Sequence, residues 1–237
     1  MKTIVCMKWG DKYDGYESKL YDTVKDQCDK FICVTDKPIN DYDIILPNDY
    51  EGHDCFTVEK LLLFNEDKIG LEGDDFLFFD LDVLIHNPID RLWHLPMDKP
   101  YLIEGYWQNP DNFRKNFGKN GQGTKYNSSL MRWNRGQCRP VYDQFTNNIE
   151  YLSFVYFSLD NYLIHKWYSK DFFNTFPKGV AYSWYKGNTF PDDIETKVFR
   201  DDHIICMFNN SEYDDGIDNT ELEQMTDIEE LKERWKI

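Results

Sequence analysis

The sequence predicts an α/β fold, a mixed but mostly parallel central sheet flanked by helices, and three observations carry that prediction. The first is the run Phe76-Leu77-Phe78-Phe79-Asp80-Leu81-Asp82-Val83-Leu84-Ile85. Its apolar residues fall on both sides of the pleat, as in a strand buried on both faces in the middle of an α/β sheet. The second is the alternation of such runs with stretches of helical period along the first part of the chain. The third is that apolar runs end in acids, at Asp36 and at Asp80. A charge without a partner is costly inside a sheet. The strand is therefore expected to stop at Asp80, where its C-terminal edge opens into a crevice of the kind that binds ligands. Asp80 and Asp82, two apart on an extended chain, then face one side. Two hard oxygen ligands so placed suit a divalent cation that also holds substrate phosphates.

In chain order, residues 3–7 read as a short β-branched strand. The loop after it, Lys8-Trp9-Gly10-Asp11-Lys12-Tyr13, has two readings. It is either a polar turn or a nucleotide loop, with Trp9 or Tyr13 against a base and lysine near phosphate. Residues 16–25 form a helix with Tyr16, Leu20 and Val24 on one face. Residues 31–36 are a second strand. Its Asp36 either meets a ribose hydroxyl or base edge, or caps the turn Thr35-Asp36-Lys37-Pro38. Residues 43–47 look like a short edge strand stopped by Pro47. Residues 57–64 form a helix whose apolar face packs on the sheet. Lys60 stands where that face begins, and either snorkels or points into the crevice towards a diphosphate.

Beyond the central strand, residues 87–93 read as a turn and short helix with Pro88 near its start, and residues 101–105 as a strand. Residues 106–124 are long for a structureless loop, which points to a functional one. Residues 126–133 alternate as a strand. Its small polar start, Asn127, Ser128 and Ser129, either suits hydrogen bonding to a sugar or is simply a polar beginning. Residues 140–149 look helical, and residues 154–168 form an aromatic helix that contains Asp160 and Asn161. Two short strand or loop pieces follow, at 172–177 and 181–186. Residues 203–210 are a last buried strand ending in amides. An acidic stretch, 212–218, and a closing helix near 227–235 with Thr226 as N-cap complete the chain. With no repeat and no linker, residues 1–237 are expected to form one domain, its core over about 1–210.

The 237 residues hold 27 basic and 43 acidic side chains, a net charge of −16. Phosphate-backbone binding needs a basic surface, which argues against a nucleic-acid duplex as partner. A nucleotide remains compatible, because a metal and a few lysines offset one diphosphate locally. Aromatic content of 17% excludes a disordered chain and suggests stacking or carbohydrate-facing surfaces. Cys6, Cys28, Cys33, Cys55, Cys138 and Cys206 make no Cys-x-x-Cys pair, and three of them lie in apolar runs. This reads as a reduced, intracellular protein without structural zinc. The apolar N-terminal run is too short for a signal peptide and no stretch reaches the length of a membrane span, so a cytoplasmic location is expected.

Together these parts resemble the GT-A, Rossmann-like fold of glycosyltransferases, and most of all the small glycosyltransferase-family-8-like proteins of bacteria and viruses. The segment from Cys6 to Tyr13 is similar to their first-strand nucleotide loop, and residues 31–36 to their second strand ending in Thr-Asp. Lys60-Leu61-Leu62-Leu63-Phe64 resembles the helix that brings a lysine to the nucleotide. Phe78-Phe79-Asp80-Leu81-Asp82-Val83 resembles the Asp-x-Asp strand, and residues 126–131 the Asn-Ser-Ser/Gly strand. Asp160-Asn161 stands where the family often has Asp-Gln. There are two departures. That Asp-Gln is Asp-Asn here, and the family's closing Phe-His-Gly-like motif reads Phe208-Asn209-Asn210. Asn209 is therefore the expected third metal ligand in preference to His203, which begins its strand and should lie at the opposite end.

The resemblance implies transfer of a sugar from a nucleotide sugar, a UDP-sugar, to a hydroxyl of a glycan or other acceptor, with retention at the anomeric carbon. Mn²⁺ or Mg²⁺ on Asp80, Asp82 and Asn209 would hold the diphosphate, with Leu81 between the acids against the donor. Lys60 and Lys186 would add positive charge there. Lys8, Trp9, Gly10, Tyr13, Thr35 and Asp36 would surround the nucleoside, while Asn127, Ser128, Asp160 and Asn161 would orient the sugar. The acceptor would meet residues 106–124 and the aromatic segment around Trp184. Two other readings stand beside this one. A haloacid-dehalogenase-type phosphatase also carries Asp-x-Asp after an apolar strand, though with different following residues. A non-catalytic nucleotide or carbohydrate binder would use the acids only to hold a metal.

Overall fold

A computed structural model describes residues 1–10, 13–46, 56–111, 125–156 and 158–208. The central strand is β4 (Asp75–Phe79), and it ends at Phe79, one residue before the first aspartate. On one side it pairs in parallel with β1 (Lys2–Lys8), which pairs with β2 (Lys30–Thr35) and, through it, with β3 (Asp43–Ile45). On the other side it meets β7 (Tyr126–Asn134) antiparallel, followed by β6 (Tyr101–Glu104) and β8 (Asn174–Thr175). The resulting seven-stranded order is β3-β2-β1-β4-β7-β6-β8, with β7 alone running against the rest. The strands read from periodicity therefore hold, and the 43–47 run is the edge strand, with Ile45 at 64% exposure; Pro47 lies outside the described residues.

Alternation along β1, β2 and β4 divides the core between two faces. Ile4, Cys6, Phe31, Cys33, Leu77 and Phe79 face α1 (Tyr16–Val24), with Leu20 and Val24 against them. Val5, Met7, Ile32, Val34, Phe76 and Phe78 face the other layer. That layer holds α2 (Phe56–Leu61) and its 3₁₀ continuation Leu62–Phe64, α3 (Glu66–Ile69), and helices after β7 that include α5 (Arg139–Thr146). Burial on both faces is what a near-continuous apolar run means. After Asp82 the chain enters β5 (Val83–Ile85), which leaves the main sheet. It joins β10 (Ile205–Met207) antiparallel, and β10 pairs in parallel with β9 (Ala181–Ser183), giving a second, three-stranded sheet.

The helix expected over 140–149 is α5, ending at Thr146, while the stretch up to residue 168 holds two helices, α6 (Ile149–Val155) and α7 (Leu159–Trp167), where one was expected over 154–168. Ser158 separates them: its hydroxyl accepts the Asn161 N–H at 3.3 Å as an N-cap, which satisfies a donor that the first helical turn leaves orphaned. Among the described residues no helix is long and apolar enough to cross a membrane.

Arg132, in the middle of β7, is 2% exposed. Its Nε and Nη2 donate to the two Asp75 oxygens at 2.9 and 2.7 Å. Nη2 also donates to the Trp93 carbonyl at 2.9 Å, and Nη1 donates to the carbonyls of Leu92 and Leu95. The planar fork thus ties the end of α4 (Asp90–Trp93) to the sheet. Arg132→Leu would leave Asp75 and three carbonyls without this partner. The expected loss is about 3–5 kcal/mol of unfolding free energy, measurable by urea denaturation.

Candidate active site

Parallel strands deliver their C-terminal ends to one edge of the sheet, and the antiparallel β7 begins at that same edge. Lys8, Asp36, Asp80 and Ser128 are therefore neighbours for topological reasons. A cavity of about 510 Å³ opens there. Its wall includes Lys8, Trp9, Gly10 and Tyr13 from the first loop, Lys60 from α2, Asp80, Leu81 and Asp82, Ser128 from β7 and Asp160 from α7. Ten of the residues given individual site roles from the sequence thus meet in one place.

The first loop is fixed by Asp36. The Gly10 N–H reaches both of its carboxylate oxygens at 3.2 Å, and Gly10 has φ +67°, a left-handed conformation natural to glycine. Beneath it Lys8, with a side chain 4% exposed, pairs with Asp14 at 2.5 Å. Burial alone would lower the Lys8 pKa, but the bond to Asp14 and the charge of Glu17 outweigh it and the ammonium is held more firmly.

Across the cavity, the Lys60 ammonium donates to Asp80 Oδ2 at 2.7 Å and lies 2.7 Å from Oδ1. It stands 5.2 Å from the centre of the Phe78 ring. Burial pulls its pKa down, while Asp80 first, then Asp160 and Asp82, push it up, and the net direction is up. The Asp80 main chain is fastened by its N–H to the Ser129 carbonyl at 2.9 Å. Asp160 Oδ1 accepts the Ser128 N–H at 2.8 Å. Its pKa is raised because burial outweighs the help from Lys60 and Ser128.

Other predicted residues take local partners and are not among those lining the cavity. The Thr35 hydroxyl accepts the Lys37 N–H at 3.1 Å. The Asn127 side chain accepts the Ser129 N–H at 2.9 Å. Asn161 is buried, with its N–H on Ser158. The Lys186 N–H bonds the Ser183 hydroxyl in the turn after β9. Asp36 acts through Gly10 as described. His203 is buried, its ring between Asp202 at 2.8 Å and Asn188 at 3.0 Å; as expected it precedes β10, whose far end meets the cavity where the Phe208 N–H reaches the Asp82 carbonyl at 3.4 Å. Asn209, most of the 106–124 loop, the acidic stretch and the closing helix lie outside the described residues. Ser129, read in the sequence as part of the small polar start of its strand, also lines the wall, whereas Met7, Ser158 and Leu159 in the wall, and Asp14 beneath it, were missed. Only Ser158 carried a signal, a serine just ahead of a helical run.

Among the described residues no cluster of three or more His, Cys, Asp and Glu is arranged to hold a metal. Two carboxylates at a cavity still fit a Mg²⁺-like ion, which commonly takes one or two from protein and the rest from water and phosphate.

No protein-family model matches this sequence, and no curated protein sequence does. Comparison of structures gives a different result. The galactosyltransferase LgtC, solved in complex with donor and acceptor sugar analogs, superposes with a TM-score of 0.58 over 88% of this chain and 87% of its own, at 11% identity. A glycosyltransferase involved in the glycosylation of the major capsid of PBCV-1 gives 0.52 over 87% and 92%, at 10% identity. The glycosyltransferase GlyE of Streptococcus pneumoniae TIGR4 gives 0.54 over 78% of this chain and 48% of its own, at 12% identity.

The fold is GT-A. In this GT-A chain the aspartate pair follows the central strand, and the cavity lies at the sheet edge where the parallel strands end.

Linkage gives a test of the Asp160 environment. Its folded pKa is raised above the ordinary 3.8, so the folded state holds this proton more tightly than the unfolded one. That contribution is complete below about pH 3.8 and is lost as pH rises through the raised folded value. Asp160→Asn keeps an oxygen for Ser128 and removes the titration. Its stability relative to the parent chain should be more favourable at pH 7 than at pH 4, as read by urea denaturation at the two pH values.

Proposed function

We propose that this protein is a metal-dependent glycosyltransferase that moves a sugar from a UDP-sugar to an acceptor hydroxyl, with retention at the anomeric carbon. The observation that carries the reading is the convergence of Lys60, Asp80, Asp82 and Asp160 on one cavity, opposite a glycine-containing loop flanked by Trp9 and Tyr13. An acidic pair alone would repel a diphosphate. Acids beside an ammonium at the C-terminal edge of a GT-A sheet make sense with a cation between protein and phosphate. Asp80 and Asp82 would hold Mn²⁺ or Mg²⁺, which supplies Lewis-acid stabilisation of the leaving diphosphate when bound.

The chain's own residues do the rest. Trp9 is 36% exposed at the cavity rim and offers a face for stacking; Tyr13, half-buried in the wall, offers a second. Lys8 and Lys60 bring positive charge to the cavity of an otherwise acidic molecule. Asp160, held by the Ser128 N–H, is placed to orient sugar hydroxyls, and Ser128 and Ser129 add small polar groups beside it. The UDP and retention parts of the proposal rest on the motif resemblance. LgtC, solved with donor and acceptor sugar analogs, is consistent with donor and acceptor sugars as ligands of this architecture. The phosphatase reading rested on Asp-x-Asp after an apolar strand, a feature that a GT-A sheet carries as well, and the GT-A fold favours the transferase reading over it.

Calorimetric titration of UDP with and without Mn²⁺, followed by a UDP-sugar hydrolysis assay, tests the proposal. Binding of UDP should require Mn²⁺ and should fall by about a hundredfold or more in Asp82→Ala, with slow release of free sugar by the parent chain. No UDP binding together with turnover of a phosphomonoester overturns the reading. Tight binding without turnover of any UDP-sugar would make the protein a binder.

A further inference from the structure

We propose that Lys60 is an exchangeable counter-ion, which a divalent cation displaces from Asp80 and transfers to Asp160. The inference rests on the reading of Asp80 and Asp82 as the cation pair. Lys60 Nζ is 2.7 Å from both oxygens of Asp80, so the ammonium already occupies the edge between the two oxygens that a chelated cation would take. A cation within coordination distance of Asp80 would sit against that ammonium, and like charges so close in a half-buried site repel strongly. One of the two positive groups has to move.

Lys60 has little freedom in where it goes. Its side chain is 15% exposed and lies over the Phe78 ring, so full retreat to water would unpack the stem. A flexible four-carbon stem with three rotatable donors nevertheless permits a short swing. Asp160 is the acid towards which it can swing. Asp160 lines the same cavity as Lys60 and Asp80, and its charge favours the ammonium. Helix α7, which carries Asp160, packs on α2, which carries Lys60. Asp160 is bound to protein through Oδ1, by the Ser128 N–H.

The exchange joins two events. Cation binding at Asp80 would deliver Lys60 to the acid proposed to orient the sugar, replacing a carboxylate opposed by burial with one neutralised in place. It also sets the cost of loading the metal, because the Lys60–Asp80 pair must be broken first. Lys60 is thus a positioning residue for the cation.

The test uses the full-length protein with Mn²⁺ alone, without nucleotide, and reads free Mn²⁺ by electron paramagnetic resonance. Lys60→Met should bind Mn²⁺ about tenfold more tightly than the parent chain, since the competing charge is gone. Asp160→Asn should bind it several-fold more weakly, because the displaced ammonium has no carboxylate to receive it. Adding Asp160→Asn to Lys60→Met should then weaken Mn²⁺ binding much less than it does in the parent chain, leaving only the direct loss of one negative charge. Equal or weaker Mn²⁺ binding by Lys60→Met overturns the proposal, as does an Asp160→Asn effect of the same size with and without Lys60. Should Lys60→Met not fold, Lys60→Gln takes its place in the same comparisons, and unchanged Mn²⁺ binding by Asp160→Asn overturns the exchange by itself. Absence of UDP-sugar turnover by the parent chain with the Mn²⁺ pattern intact would instead overturn the transferase reading and leave the exchange standing.

Discussion

Carboxylates cannot follow an apolar strand into a sheet unless something compensates them, and here that something is a single ammonium. Lys60, from α2, is bonded to Asp80 at the end of β4, and Asp160 at the start of α7 lines the same cavity, so one ammonium and two acids from different layers face one another there. The pairing explains why β4 stops where it does. Phe79 is wholly buried and Asp80 is not, and the transition falls where Lys60 can reach. Lys8 and Asp14 repeat the arrangement at the other end of the cavity, a buried lysine paired with an acid that faces water. An acidic protein has in this way assembled a site with two lysines in its wall.

The second sheet gives the site its backing. By leaving the main sheet after Asp82, β5 places its backbone against β10, and the Asp80–Asp82 turn lies where the two sheets part. Arg132 plays a matching role at the opposite end of the molecule, gathering Asp75 and the carbonyls around α4 onto β7. It is the kind of buried guanidinium whose full set of hydrogen bonds makes it specific in orientation.

Much of this was legible in the sequence, for reasons that differ by element. The strands β1, β2, β4 and β7 are buried on both faces or alternate cleanly, so composition and period located them within a residue or two. The break between α6 and α7 was not legible, because aromatic residues run on through it. Phe154 is 86% exposed, and nothing in its type says that it faces solvent. In the site, residues whose place follows from a strand end were found: Lys8, Asp80, Asp82 and Ser128. Asp14 and Ser158 were missed because three-dimensional packing brings them to the edge. Thr35 and Asn127 have suitable chemistry, but each bonds an amide two residues on, a local competition that residue type alone cannot settle.

The turn that bears the two aspartates is stitched from both directions. The Asp80 N–H is bound to Ser129 of the large sheet, and the Asp82 carbonyl receives the N–H of Phe208 at the end of the small one. A ligand arriving there meets main chain that is already ordered, so its binding free energy is not drawn down by loop closure. The same rigidity limits adaptability. The aspartate backbone has no slack with which to follow a larger or differently angled group. Whatever range of ligands this cavity accepts must come from side-chain rotation, above all of the long stem of Lys60 and the rings of Trp9 and Tyr13.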